Sequence, residues 1–191
     1  MDAIRVLLFV GLVVHKLVWE VLKRPSTTMT HPTKKATPNG MVSVIKVIKL
    51  GILVFLLIQT LFLELFPISH DPALIKTIGL CFYVIGLTTA ILGRLHLGDN
   101  WVDLEEYQVI PEQALVTRGI YRYIRHPIYA GDLFLIFGLQ LALNSWLVLI
   151  IIPLFVIVFR QTSAEEMVLT RAFPNYPDYC RRTKRFVPFL I

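Results

Sequence analysis

The chain has 191 residues, of which 55% are hydrophobic and only 17% charged, with a formal net charge of +6. This length is short of two ordinary soluble domains, and such an apolar composition is typical of an integral membrane protein. The positive charge does not indicate nucleic-acid binding, because the cations flank apolar segments, where they would meet anionic lipid headgroups.

Four apolar runs predict the membrane segments, since a helix needs roughly 20 apolar residues to cross a bilayer. In chain order they lie at about Ala3–Leu22, Leu50–Phe66, Ile78–Leu92 and Leu133–Phe159. The first three each predict one span. The fourth is too long for one span and is interrupted by Asn144 and Ser145, so we expect a helical hairpin. The predicted fold is an all-α integral membrane protein with about five transmembrane helices, the last two forming the hairpin.

Lysine and arginine residues follow the first, third and fifth predicted helices, whereas the turn near Pro67 carries few. Because cytoplasmic loops are enriched in these cations, we expect the N-terminus outside and the C-terminus in the cytoplasm. Residues 27–40 are rich in Thr, Pro and Lys and predict a flexible cytoplasmic loop. The organisation expected is N-terminal helices with a flexible basic loop over residues 1–75, then a functional core with a cytoplasmic helix and tail over residues 76–191.

Cysteine, histidine and glycine patterns exclude several kinds of site. Cys81 lies in an apolar run and Cys180 in the basic tail, so we expect no disulfide. No histidines stand in a ligand spacing such as HExxH, and no GxGxxG or GxxxxGK[ST] pattern occurs. We therefore expect neither a metal site nor a Rossmann or P-loop nucleotide site.

The stretch Arg118–Gly131 places cations, an imidazole and phenols at the start of the hairpin. Pro127 suits the first turn of a helix, so Arg125 and His126 are expected at a helix N-terminus, which favours anions. Tyr129 follows His126 by one turn and shares its face. An alternative explanation for these residues is the aromatic and basic belt common at bilayer boundaries.

A second cluster lies where the hairpin ends, at Arg160 and the adjacent Glu165 and Glu166. Neighbouring residues point in different directions on a helix, so one acid should face solvent and the other the bundle. An amphipathic helix with solvated charges would also explain these residues. The tail that contains Tyr179 and Arg182 mixes aromatics with cations, and by itself it would also suit a membrane-surface anchor.

These blocks, in this order, resemble the isoprenylcysteine carboxyl methyltransferase family over roughly residues 90–189. The resemblance rests on L-V-T-R-G-I-Y-R-Y-I-R-H-P-I-Y-A-G, an Arg followed by E-E, and then F-x-x-Y-x-x-Y and R-F-V-P. It extends more loosely to the phospholipid methyltransferases. Ser163 and Pro174 depart from the pattern, standing where relatives often carry Arg and Gly.

The resemblance implies a membrane methyltransferase that uses S-adenosyl-L-methionine without a Rossmann domain. The cofactor would enter a pocket facing the cytoplasm, and a lipophilic, prenylated acceptor would enter from the bilayer, with membrane lipids and no nucleic acid as partners. No protein partner is implied. The family's cofactor residues carry over as Arg125, His126, Pro127, Tyr129, Gly131, Glu165 and Glu166. Arg160 and Glu165 carry over as the catalytic residues, and Arg160, Tyr179 and Arg182 as acceptor-binding residues.

The preferred acceptor is a carboxylate, which is already ionised at neutral pH and needs no general base, so positioning should dominate catalysis. An amine acceptor, as in a phospholipid N-methyltransferase, would need a proton removed. The sequence is also compatible with an NADPH-dependent membrane reductase or a non-catalytic lipid-binding protein. The reductase would need more phosphate-binding cations than this short chain offers outside its tail.

Overall fold

The computed structural model describes residues 2–22, 39–100 and 114–188, and in these ranges the chain is helical without a β-strand. The α-helices are α1 (Ala3–Val21), α2 (Asn39–Phe62), α3 (Ala73–Leu97), α4 (Pro127–Ala142), α5 (Ile151–Ala172) and α6 (Tyr176–Arg182). Short 3-10 helices occupy Gly98–Asn100, Gly119–Arg122 and Trp146–Ile150. The predicted flexible loop lies outside the described residues, except for its last two positions, which begin α2.

Within the described residues, two helical segments are long and apolar enough to cross a membrane, Ala73–Leu97 and Trp146–Ala172, while Pro127–Ala142 is apolar but shorter. The predicted all-α class is confirmed within the described residues. Helix α3 extends beyond its apolar run at both ends, because backbone hydrogen bonding continues until a residue interrupts it. Pro72 precedes α3, and Gly98, with a φ of 56°, ends it in the left-handed region that favours glycine.

Helices α3 and α4 pack very closely, because glycines at seven-residue spacing on both helices remove side chains from the contact. A Cβ at Gly138 would lie 2.2 Å from the backbone nitrogen of Tyr83, and one at Gly131 would lie 2.4 Å from that of Ala90. Small residues of this kind let helix backbones approach closely in membrane bundles. The start of α4 is thereby held rigidly on α3.

Helix α1 packs on the same pair and completes the core. Leu8 and Leu12 are buried against Leu135 and Leu139 of α4. The hydroxyl of Tyr83 donates a 2.6 Å hydrogen bond to the Leu8 carbonyl oxygen, satisfying the buried phenol. The N-terminal helix is therefore part of the same packed unit as the predicted functional core.

The predicted break in the fourth apolar run is confirmed. Helix α4 ends at Ala142, and Asn144 adopts a φ of 55° in the turn that follows. The Asn144 side chain exchanges hydrogen bonds with the backbone of Ser69, and the Ser145 hydroxyl donates to the Leu65 carbonyl oxygen at 2.7 Å. The turn of the hairpin is thus tied to the connection between α2 and α3.

The opposite end of the hairpin brings together the start of α4, the end of α5 and the tail. Ile124 and Lys184 form an isolated parallel bridge there, although 60 positions separate them in the chain. This end carries the charged clusters that the sequence singled out.

Candidate active site

The start of α4 is fixed from both directions along the chain. Pro127 occupies the first turn, as predicted, and His126 is the N-cap residue. The backbone N–H of Arg125 donates to the Lys184 carbonyl oxygen at 2.8 Å, and that of His126 donates to the Arg185 carbonyl oxygen at 3.0 Å. The tail therefore accepts N–H groups that would otherwise lack partners at the helix start.

Glu166 is the centre of a dense network of charged hydrogen bonds. Its carboxylate accepts from Arg125 Nε at 2.8 Å, from His126 Nε2 at 3.2 Å and from Arg185 Nε at 3.2 Å, with a further bond from Arg185 Nη2. The side chain is only 14% exposed. Because this carboxylate of α5 accepts hydrogen bonds from the start of α4 and from the tail, Glu166 joins three separate parts of the chain.

Arg125 extends the network to the tail backbone. Its Nη1 donates to the carbonyl oxygens of Cys180 at 3.2 Å and Thr183 at 2.6 Å. Burial opposes its charge, but the hydrogen bond and the charge of Glu166 prevail, so the pKa of the Arg125 guanidinium is raised above its ordinary value. Arg125 therefore remains a cation and links the segment just before α4 to α5 and to the end of α6.

Glu165 differs from its neighbour, as the helical geometry predicted. Its side chain is 39% exposed, and within the described ranges it accepts one hydrogen bond, from the Tyr129 hydroxyl at 3.2 Å. His126 presents Nδ1 to it at 3.9 Å, beyond hydrogen-bond distance. Because the other ring nitrogen of His126 donates to Glu166, the imidazole is held between the two acids. Among the described residues, Glu165 thus retains acceptor capacity that Glu166 has used.

Aromatic rings line the side of this cluster that faces along α5. Phe186 lies 6.2 Å from the His126 ring and 5.9 Å from that of Phe155, measured between centroids. The Arg185 guanidinium lies 4.8 Å from the ring centroid of Phe159, a cation–π arrangement. Phe155 and Phe159 are each 41% exposed. The charged cluster therefore borders an accessible apolar surface.

Three other predicted site residues, Gly131, Tyr179 and Arg182, make contacts outside the Glu166 network. Gly131 faces α3, so its observed contact is helix packing. Tyr179 is buried, and its hydroxyl donates to the Tyr121 carbonyl oxygen at 2.7 Å. Burial raises the pKa of Tyr179, so the phenol stays protonated. Arg182 is exposed and donates to the Asp178 carbonyl oxygen of its own helix at 3.3 Å.

Arg160 lies on α5 more than one turn before Glu165, and it is exposed. On a helix with 3.6 residues per turn, it points about 140° away from Glu165 and about 160° away from the buried Thr162. An acceptor bound by Arg160 must therefore approach the outward face of α5, or the long side chain must bend round the helix toward Glu165.

Arg185 and Ser163 are site residues to which the sequence reasoning assigned no role. Arg185 Nη1 donates to the Ser163 hydroxyl at 3.1 Å, in addition to its bonds to Glu166. Arg185 belongs to the R-F-V-P block, so the motif contained a signal for it. Ser163 departs from the family pattern, and the structure shows it bonded to this arginine.

This cluster can bind a ligand cation at Glu165, and polar and aromatic groups surround that position. Within the described ranges, no group of three or more His, Cys, Asp or Glu side chains has an arrangement suited to a metal ion. The charged and aromatic side chains of the cluster can pair with charges on a bound ligand, contact its apolar parts and orient it.

Comparisons with known proteins identify the same region of the chain. A family model described as phospholipid methyltransferase matches residues 74–176. The chain is 29% identical over 128 residues to a protein-S-isoprenylcysteine O-methyltransferase of Tribolium castaneum, covering 65% of this chain and 46% of that protein. It is 34% identical over 125 residues to the cobalt-zinc-cadmium resistance protein CzcN of Cupriavidus metallidurans, covering 63% of this chain and 54% of that protein.

A solved structure, the eukaryotic intramembrane Ras methyltransferase ICMT (isoprenylcysteine carboxyl methyltransferase), has a similar fold. The TM-score is 0.61 at 21% identity, and the alignment covers all of this chain and 69% of that one. The chain spans about half the length of the curated relatives it matches. Arg125, Glu165 and Glu166 all lie within the region of the family match.

Proposed function

The chain belongs to the phospholipid methyltransferase family, whose model matches more than half of it, and from this premise we propose that it methylates the carboxylate of a prenylcysteine-like lipid. The methyl donor proposed is S-adenosyl-L-methionine. Several of the relatives are named protein-S-isoprenylcysteine O-methyltransferase, including that of Tribolium castaneum, and they support the carboxylate acceptor. The observation that carries the proposal is the pairing of a saturated Glu166 with an available Glu165 in the matched region.

The residues present fit the chemical groups of this cofactor. S-adenosyl-L-methionine would supply an activated methyl group on a sulfonium, and it also carries an ammonium, a carboxylate and an adenine. Glu165 has acceptor capacity for the ammonium, and Tyr129 orients it. Tyr129, which is partly exposed, and the rings of Phe155 and Phe159 offer aromatic faces for the adenine or the sulfonium. Glu166 and Arg125 would contribute by fixing the start of α4.

The residues of the chain would act on the acceptor mainly by position. A carboxylate needs no proton removed, so the task is to align its oxygen with the methyl group and to exclude water. We assign the acceptor carboxylate to Arg160, an exposed cation that precedes the two glutamates on α5. Tyr179 and Arg182 are also proposed to bind the acceptor, in addition to making the polar contacts described above.

We also propose the membrane arrangement expected from the sequence. Five membrane helices would place the α1 N-terminus outside, and the charged cluster and the C-terminus in the cytoplasm, where the cofactor is dissolved. Residues 1–75 would act as a membrane support and residues 76–191 as the methyltransferase core. A reporter enzyme that is active only in the cytoplasm, fused after Ile191, tests the orientation.

A second candidate function is methylation of the amine of a phospholipid headgroup, which the description of the family model favours. An ammonium acceptor must lose a proton before it can attack the methyl group, so an amine reaction would fall steeply at low pH. The carboxylate reaction would not, because the acceptor remains ionised. Comparing the two acceptors between pH 6 and pH 8 separates the candidates.

The first experiment is calorimetric titration of the detergent-solubilised protein with S-adenosylhomocysteine, with NADPH in parallel. We expect saturable binding of the former alone. Glu165→Ala and His126→Ala should weaken this binding, whereas Arg160→Ala should keep it and lose methyl transfer to a prenylcysteine acceptor. Arg171→Ala, a cation on the same helix, is the matched control and should do neither. Binding of NADPH alone would contradict the proposal. An equal loss of affinity for S-adenosylhomocysteine in the Glu165, His126 and Arg160 variants would also contradict it.

A further inference from the structure

His15 and Asp132 form a hydrogen-bonded pair outside the cluster described above. His15 Nε2 lies 2.9 Å from Asp132 Oδ1, and because a carboxylate only accepts, the imidazole must donate through Nε2. The His15 ring is stacked on Trp19 at 4.1 Å between centroids. The orientation of the imidazole is therefore set from two sides, and it fixes one oxygen of Asp132.

Asp132 keeps an oxygen available on the helix that carries the candidate active site. Its side chain is 41% exposed, and among the described residues His15 bonds only Oδ1. A carboxyl group is costly to place in an apolar helix of a membrane protein, so its presence points to a functional role.

The position of Asp132 relates it to the expected acceptor. Asp132 follows Tyr129 by three residues, so it lies about 4.5 Å further along α4, toward the hairpin turn. Arg160 lies five residues before Glu165, or about 7.5 Å along α5 in the same direction. Asp132 and Arg160 therefore differ by about 3 Å in height along the two arms. An acceptor that meets both requires the long Arg160 side chain to bend round α5 toward Glu165.

We propose that Asp132, oriented by His15, binds an ammonium group on the acceptor and makes the enzyme selective for a zwitterionic lipid amino acid. This inference rests on the proposed carboxyl methylation and names its substrate class. A free S-prenylcysteine carries an ammonium beside the carboxylate to be methylated. A prenylcysteine at a protein C-terminus has an amide there and cannot form this ion pair.

The roles of the pair are distinct. Asp132 contacts the acceptor, whereas His15 acts through Asp132 and is a positioning residue. Neither changes the bond-making step, in which the acceptor oxygen forms a bond to the methyl carbon and the sulfur keeps the electrons of the broken bond. The family match begins at residue 74, so His15 lies outside it and would be a feature of this chain's N-terminal region.

The test compares S-farnesylcysteine with N-acetyl-S-farnesylcysteine as acceptors at pH 6.5, where the free amine is ionised. We expect kcat/KM to favour the free amine by about 10- to 100-fold, the scale of one charge-assisted hydrogen bond. Asp132→Asn should remove this preference by raising KM for the free amine. His15→Phe should reduce the preference, and His15→Gln, which keeps a donor, should largely restore it. Asp71→Asn, at an exposed acid in the α2–α3 connection, is the matched control.

Binding of S-adenosylhomocysteine identifies variants that remain folded. Equal use of both acceptors by the unaltered protein, or a preference retained in folded Asp132→Asn, would overturn the inference and leave the carboxyl methylation standing. Methylation of neither acceptor, or of phosphatidylethanolamine alone, would overturn both.

Discussion

Replacing Glu166 by Gln tests whether this residue holds the site together. The substitution keeps the size of the side chain but removes the charge that answers Arg125, His126 and Arg185. The side chains of Glu166 and of these partners are between 4% and 19% exposed, so solvent screens them weakly. Removing one partner of a buried ion pair costs about 3–5 kcal/mol. We expect a loss near the lower limit, because the amide oxygen can still accept.

The assay is thermal unfolding in one detergent, with Glu165→Gln as the matched variant. For a chain of 150–250 residues, 1 kcal/mol shifts Tm by about 2–4 °C, so a loss of about 3 kcal/mol lowers Tm by roughly 6–12 °C. Glu165 is more exposed and accepts one hydrogen bond. Its substitution should cost less than about 1 kcal/mol. The affinity for S-adenosylhomocysteine should fall more in Glu165→Gln than in Glu166→Gln. We expect Glu165→Gln to lose about 10- to 100-fold in affinity.

Glu166→Gln should therefore lose more stability than Glu165→Gln, whereas Glu165→Gln should lose more affinity for S-adenosylhomocysteine. If Glu166→Gln leaves Tm unchanged, the network around this carboxylate does not stabilise the fold. If instead Glu165→Gln binds S-adenosylhomocysteine with the affinity of the unaltered protein, the ligand cation is bound elsewhere. Titrations are made well below the lower Tm, so that loss of folded protein does not imitate loss of affinity.

Two further predictions concern packing and thiol chemistry. Gly138→Ala should abolish the folded state or greatly reduce its stability, because the added Cβ would lie 2.2 Å from the Tyr83 backbone nitrogen. Gly51→Ala should be tolerated, because a Cβ there has nothing within 4 Å. Thermal unfolding measures the stability of both variants. Burial raises the pKa of the Cys180 thiol, so less thiolate forms at a given pH. In a Cys81→Ser background, its alkylation by iodoacetamide should rise at a higher pH than that of a free cysteine, and an unshifted profile would refute this.

The sequence predicted those parts of the fold that depend on local chemistry. Pro127 marked the start of α4 because its missing N–H costs nothing in a first turn. Asn144 marked the hairpin break, and the 100° step between neighbouring helix residues predicted that Glu165 and Glu166 would differ in exposure. Each inference required only the residue and its immediate neighbours.

Contacts between distant parts of the chain were not predictable in the same way. Nothing local indicates that Arg185 reaches back 19 positions to Glu166, or that His15 meets Asp132 across 117 positions. The bounds of α2 were also missed, since it begins at Asn39 rather than near Leu50. Polar residues extend a helix wherever backbone hydrogen bonds continue, so an apolar run underestimates its length.

The adjacent glutamates suggest why the motif needs two acids rather than one. A single carboxylate could not both neutralise the surrounding guanidinium groups and remain available to a ligand cation, because each hydrogen bond it accepts uses a lone pair. Glu166 accepts the structural bonds and holds the tail against the start of α4. His126 separates it from Glu165, whose acceptor capacity remains. Exchanging the roles would require turning α5 by about 100°, which would move the buried Thr162 out of the bundle.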